Sequence, residues 1–246
     1  AGVTSIQPGI ESLSLPILDA MKKGVTPLQN IRLLKWCAQQ GLSVVWNFLY
    51  GFPDEPPEEY ARMARLLPAL SHLHPPYVLG RLHLDRFSPY HEHPEEYGLR
   101  ILGPLAQYRH IFPLDGQVLN DLAYSFEYEY ADGRDPESYV GSLREAVHSW
   151  KLHAPRSMGK LRYRRGPGFL SIRDGRDPSG RVTEHVLEGS EAGIYLALDA
   201  GATPRQVREA LQSDGGAVPS LEGIEAVLGG WEKRGLIYKE GDLSLS

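Results

Sequence analysis
The sequence predicts an α/β fold followed by a smaller α+β module. Strand-like apolar stretches alternate with helical periodicity over residues 3–112. The near-continuous apolar run Leu42–Tyr50 reads as a strand buried on both faces. Beyond residue 158 the pattern changes to a short hairpin, three helices and a second hairpin.

Taken in order, Val3–Pro8 reads as a short strand that ends at Pro8-Gly9. Leu13–Lys22 carries Leu15, Leu18 and Met21 at helical spacing and stops at Gly24. Pro27–Gln40 is a second helix, with a stripe of Leu28, Ile31, Leu34 and Cys37 or Ala38 and a terminator at Gly41. The Leu42–Tyr50 strand breaks at Gly51-Phe52-Pro53-Asp54. Glu58–Leu70 is helical and is closed off by Pro75-Pro76. Tyr77–Leu84 alternates as a strand, Arg86–Tyr90 turns out of it, and Pro94–Phe112 reads as broadly helical. This order predicts parallel strands with right-handed crossovers, in three units.

Residues 113–160 read as a polar bridge with an aromatic tract, Tyr124–Tyr130, a turn at Asp132-Gly133 and a helix over Pro136–Leu152. Val140, Leu143, Val147 and Trp150 form the apolar stripe of that helix. Lys160–Arg164 and Phe169–Arg173 form a hairpin about Gly166-Pro167-Gly168. A helix over Leu187–Ala200 follows, then one opened by Thr203-Pro204, then one started by Ser220 with a stripe through Leu221, Ile224, Val227, Leu228 and Trp231. Gly235 ends it, and Leu236–Leu245 reads as a hairpin wing. Three helices and two hairpins describe a winged helix. The chain divides into residues 1–115, a helical bridge over 116–157, and a module over 158–246.

Composition excludes several classes of function. The 246 residues are 41% hydrophobic and 23% charged, as in ordinary globular proteins. A net charge of -5 argues against a broad nucleic-acid surface. The one cysteine, Cys37, rules out a disulfide framework within the chain and an all-cysteine metal site, and it suits a reducing, cytoplasmic setting. Its place on a helix stripe reads as a buried structural thiol. No apolar run approaches the roughly 18 residues of a membrane span. The first residues lack a secretory signal, and a strand almost at residue 1 without a starting methionine leads us to expect truncation. Six of nine histidines, His72, His74, His83, His91, His93 and His110, cluster in sequence. His91 and His93 have chelating spacing, but Glu92 and Pro94 make the segment a polar loop, so no dedicated metal site is expected.

In parallel α/β folds, ligands sit at the C-terminal ends of strands. Those ends here are Gly9-Ile10-Glu11-Ser12, Gly51–Glu55 and Arg86–Tyr90. The carboxylates suit an ammonium group or ribose hydroxyls. Equally, Ser12 can cap the next helix and Glu55 can start one.

The stretch from Ser5 to Tyr60 closely resembles the second half of the radical S-adenosylmethionine (SAM) barrel. The resemblance is greatest to the cobalamin-binding subgroup that matures ribosomally made peptides. It is carried by Gly9-Ile10-Glu11-Ser12, Met21-Lys22-Lys23-Gly24 and Trp46–Glu55, with further likeness over residues 72–76 and 84–99. It extends over roughly residues 1–130 and implies the C-terminal half of a (β/α)6 partial barrel. It also implies SAM, a 4Fe-4S cluster and possible cobalamin as cofactors. By the same resemblance Glu11 and Ser12 contact the amino acid or ribose of SAM. Asn47 and the Gly51–Glu55 loop lie near the adenosyl group, and Gln7 points into the barrel. The family holds its cluster with three cysteines spaced Cys-x-x-x-Cys-x-x-Cys, whereas this chain has one. Cluster ligands and any cobalamin domain are therefore expected outside it, in a missing N-terminal half or a split partner. No catalytic residue is assignable, and the chain alone is not expected to be competent.

Leu187–Val207 and Gly229–Tyr238 are similar to the winged-helix peptide-recognition elements that accompany peptide-modifying enzymes. The likeness implies a leader peptide added as a strand to the N-terminal hairpin beside the third helix. The residues so placed are Tyr163, Phe169, Ile172 and Trp231. Arg162, Arg164, Arg165, Arg173, Arg176 and Arg181 suit phosphates or an acidic leader, and the acidic helices nearby favour the peptide. Two functions follow as expectations. One is a radical SAM enzyme acting on a ribosomal precursor peptide, with C-methylation the expected reaction. The other is a catalytically silent peptide-binding partner.

Overall fold
The computed structural model describes residues 2–213 and 218–246. The first half is α/β. Strands β1 (Ser5–Ile6) and β2 (Ser43–Val44) pair in parallel, as do β3 (Asn47–Tyr50) and β4 (Val78–Arg81). A parallel bridge between Glu11 and Phe48 continues the first pairing into the second. Three chain segments thus run side by side, with short ladders, and among the described residues they do not close into a barrel.

Helices α1 (Leu15–Ala20), α2 (Pro27–Gln40) and α3 (Glu58–Leu70) have local signals of the expected kind. Thr26 and Gln29 close a reciprocal capping box at the start of α2, Pro27 takes the first position, and Gly41 ends it at φ 68°. Ile31 and Leu34 of α2, and Met63 and Leu67 of α3, bury against Phe48 and Trp46 of the sheet. All this packing lies on one side. Val44, Trp46, Phe48 and Tyr50 are buried, whereas Ser43 and Val45 are exposed and Asn47 and Leu49 only half-buried. The expectation of a strand buried on both faces is therefore corrected. The segment also breaks at Val45-Trp46, between β2 and β3.

The region after β4 departs further from expectation. Strands β5 (Leu84–Asp85), β6 (Leu99–Pro104) and β7 (Ser125–Tyr130) form an antiparallel sheet in the order β5-β7-β6. Pro94–Phe112 is not one helix. A 3-10 turn over Pro94–Tyr97 follows the single helical turn α4 (Pro89–Glu92), β6 comes next, and helix α5 (Ala106–Ile111) follows it. Gly98 at φ 61° and Gly103 at φ 138° hold conformations that a helix does not tolerate. The aromatic tract is likewise no bridge. It is the central strand β7, whose Phe126 and Tyr130 pack with Leu84 and Leu99 in a small core. Helix α6 (Gly116–Leu122) precedes it. Helix α7 (Glu137–Ser157) lays its stripe of Val140, Leu143, Val147 and Trp150 into the first core, against α3.

The C-terminal module opens on a three-stranded meander of β8 (Leu161–Gly166), β9 (Phe169–Asp174) and β10 (Thr183–Glu188). The third strand extends the expected hairpin, so the following helix α8 (Ser190–Ala197) begins later than Leu187. Helices α9 (Pro204–Ser213) and α10 (Leu221–Lys233) and the hairpin of β11 (Tyr238–Glu240) with β12 (Leu243–Leu245) complete it. Its own core joins Leu170, Ile172, Ile194, Val207, Leu228 and Trp231. Polar links tie it to the first half. The Arg176 guanidinium, paired with Asp174, donates to Ala69 O at 2.5 Å and Gly235 O at 2.9 Å. Lys35 bonds Asp199 at 2.8 Å, and Arg32 donates to Ala200 O at 2.8 Å. No helix among the described residues is long and apolar enough to cross a membrane.

Candidate functional site
The strand-end loops are built from buried polar contacts. Glu11 sits at φ 54°, an uncommon backbone position for a residue with a side chain. Its carbonyl accepts from Leu49 N at 2.9 Å, which fixes the loop to β3. Its carboxylate pairs with Lys23, and both side chains remain about a third exposed, at 27% and 30%. Asn30, buried on α2, donates to Ile10 O at 3.3 Å and Ser12 O at 3.1 Å. It holds the turn from below.

Ser12 faces inward. Its hydroxyl accepts from Ser14 N at 3.1 Å and lies 3.6 Å from the Met63 sulfur, with no exposure to solvent. The cap of α1 is Ser14, which accepts from Ile17 N at 3.4 Å and donates to Glu59 at 2.6 Å. Ser12 therefore shapes the loop, and Glu11 with Lys23 presents its charge.

The second loop is organised by Glu55. This carboxylate is buried and accepts from Gly51 N at 2.8 Å, Phe52 N at 2.9 Å, the Tyr139 hydroxyl at 2.6 Å and the Tyr60 hydroxyl. Burial first, and then the Glu55 carboxylate, hold both tyrosines well above the usual phenol range, so they stay protonated donors. The Tyr130 hydroxyl donates to Gly51 O from the other side. Gly51 lies at φ 85°, and an added methyl group would meet that hydroxyl at 2.8 Å. Asp54, by contrast, is exposed, 3.6 Å from Arg134.

Asn47 lies on the side of the sheet that the helices leave uncovered. Its Oδ1 is shut off from solvent without a hydrogen-bond partner among the described residues. Gln7 is exposed beside β1. The third loop serves the fold: Arg86 donates to Ala123 O at 2.7 Å and lies over the Phe126 ring. Glu11 thus lies opposite Phe48, the neighbour of Asn47 at the start of β3, and the Gly51–Glu55 loop follows the C-terminal end of β3.

Over 58 residues the chain is 43% identical to an uncharacterised methyltransferase of Pyrococcus horikoshii. The match takes in 24% of this chain and 13% of the length of that relative. No family model matches, and no solved structure matches.

A methyltransferase-like reading calls for a methyl donor, and the residues fit SAM in part. Asn47 Oδ1 is a buried acceptor in want of a donor, as a ribose hydroxyl or adenine amine would supply. Glu11, bridged to the neighbouring Phe48, carries a carboxylate that is about a third exposed and paired with Lys23. The residues do not fit a cluster held by three thiolates, because Cys37 is the one cysteine and its thiol is buried in the first core, where burial raises its pKa. No three His, Cys, Asp or Glu side chains converge on a metal position among the described residues.

The four residues expected to meet a peptide do not form one surface. Ile172 and Trp231 are core residues, with Trp231 edge-on to Tyr195 at 5.5 Å. Tyr163 is half-exposed on β8, and Phe169 is exposed at the turn, over Gly166. Sequence reasoning missed Asn30, Tyr60 and Tyr139. Asn30 alone left a local trace, a polar residue inside the apolar stripe of α2.

Proposed function
We propose that the chain is the C-terminal portion of a SAM-dependent radical enzyme that modifies a ribosomally made precursor peptide, with C-methylation as the reaction. The observation that supports this reading is the Glu11 loop set opposite Phe48, beside the unpartnered Asn47 Oδ1, with the Glu55-braced loop following the C-terminal end of the same strand. The similarity to a methyltransferase supports it, as does the resemblance of the two strand-end motifs to the radical SAM barrel. The iron–sulfur cluster, and cobalamin where it takes part, are held by residues outside this chain. Glu11 and Asn47 bind and orient SAM, Ser12 and Asn30 position the loop that carries Glu11, and Glu55 braces the loop that follows β3. The peptide pairs with an open edge of the β8-β9-β10 meander, where Arg162, Arg164 and Arg165 meet its acidic residues.

Without cluster ligands the isolated chain binds SAM weakly. Nuclear magnetic resonance at millimolar SAM should move the amides of Gly9–Ser12 and Gly51–Glu55. Glu11→Ala should abolish those shifts while leaving the melting temperature nearly unchanged. Shifts confined to other regions, or none at all, would sink the reading.

A further inference from the structure
An open pocket of about 290 Å³ is formed within residues 158–182. Lys160, Arg162 and Arg173 line it with two glycines, Gly159 and Gly175, and no acidic side chain takes part in the lining. The glycines make room for the cations. Gly159 holds φ 67°, and a methyl group added there would meet Arg162 Nη2 at 2.9 Å. One added to Gly175 would meet Lys160 Cδ at 3.3 Å. Arg162 Nε donates to Gly159 O at 2.5 Å, which ties that guanidinium to the turn after α7.

The register of the meander accounts for the charge. Arg162 of β8 stands directly opposite Arg173 of β9, and Arg173 stands opposite Glu184 of β10. Like charges set opposite each other destabilise a strand pair. Asp174 is paired with Arg176 and Asp177 with Arg181, and among the described residues no ion pair joins Glu184 or another carboxylate to Lys160, Arg162 or Arg173. Gly159 N donates to His72 O at 2.9 Å, but the His72 ring adds no charge. Burial first, and then the nearby Arg176 charge, push its pKa down to about 3, so it is neutral. Three cations against one carboxylate leave an excess of two positive charges. Arg164, two residues beyond Arg162 on the same face of β8, adds to it.

That excess discriminates between anions. A carboxylate brings one negative charge. A phosphate group brings about 1.5 to 2 at neutral pH, with three strong acceptor oxygens. Guanidinium forks grip such oxygens in pairs, and an ammonium group serves as a point charge beside them. We propose that Lys160, Arg162 and Arg173 form a binding site for a phosphate group, free or carried as a monoester. Its ligand does not react there. It neutralises the opposed arginines and steadies the β8-β9 face. The proposal rests neither on the SAM reading nor on a peptide at the edge of the meander, and because Arg162 belongs to both pocket and edge, the test separates the two occupants.

The test uses the whole chain at low ionic strength in chloride, with amide shifts followed by nuclear magnetic resonance. Inorganic phosphate and ribose 5-phosphate should each give saturable shifts at Gly159, Lys160, Arg173 and Gly175. Equal affinities would assign the site to free phosphate, and tighter binding of the ester would assign it to a phosphate monoester. Acetate at matched ionic strength should give no saturable shift. Lys160→Gln and Arg173→Gln, both at exposed positions, should each weaken phosphate binding at least about fivefold. Arg208→Gln removes the same charge from an exposed position on α9 outside the pocket and should change it less than about twofold. Absence of saturable shifts, shifts confined to other regions, an equal response to acetate, or equal losses in Arg208→Gln and Arg173→Gln would overturn the proposal. So would a glutamate-rich peptide that saturates these amides where phosphate does not.

Discussion

Glu55 shows what a single residue can hide. The resemblance marks it for the neighbourhood of a ligand, yet both of its oxygens serve two amides and two tyrosine hydroxyls inside the protein. Glu55→Ala leaves those four donors buried without an acceptor and should cost about 3–5 kcal/mol in urea unfolding. Tyr139→Phe removes one donor and should cost about 1 kcal/mol. A Glu55→Ala chain as stable as the parent would show that water replaces the carboxylate and that the loop needs no brace. The motif was legible in the sequence, but its inward role was not, because Tyr139 is distant in the chain. Ser12 and Ser14 repeat the lesson at short range. Two hydroxyls two residues apart compete for one cap, and only the entry angle of α1 decides between them.

At the scale of elements, local signals were read well and distant partners poorly. Helices α2 and α10 carry their caps, and α2, α3 and α10 their apolar stripes, within a dozen or so residues, so Pro27–Gln40 and Glu58–Leu70 were legible end to end. Strands β6, β7 and β10 owe their existence to neighbours. Phe126 alternates with Tyr128 and Tyr130, but nothing local says that Leu99 will pair opposite Tyr130. The glycines at 98 and 103 were the overlooked warning against a helix. The turn after β3 depends on a glycine in a direct way. Gly51→Ala must accept a left-handed backbone and push against the Tyr130 hydroxyl. It should lose about 1–3 kcal/mol and shift the amides of residues 51–55. A Gly51→Ala chain that melts with the parent would mean that the loop relaxes at no cost.

At the scale of the whole molecule, the junction between the halves sets a pH response. His72 keeps a pKa of about 3 in the folded chain against 6.5 for a free imidazole. Between those values the unfolded chain binds a proton that the folded chain refuses. Stability from this group is therefore complete above pH 6.5 and falls as the pH drops towards 3. The loss by about pH 4 should be on the order of 1–3 kcal/mol. Urea unfolding at neutral and acid pH, compared with His72→Phe, isolates it. An identical acid slope in parent and variant would contradict the assignment.

The same junction has a consequence for how the chain tolerates mutation. Arg32, Lys35 and Arg176 reach across it, and each has a carbonyl of the main chain among its acceptors, at Ala200, Asp199 and Ala69. Within the first core, Trp46, Trp150 and Ser157 do the same to His74, Leu73 and Ser71. Every peptide unit supplies a carbonyl, whatever side chain it bears. The joint is thus lopsided in what it asks of the genetic text. The reaching residues are dictated letter by letter, while the positions they grasp can drift through many spellings and still be held.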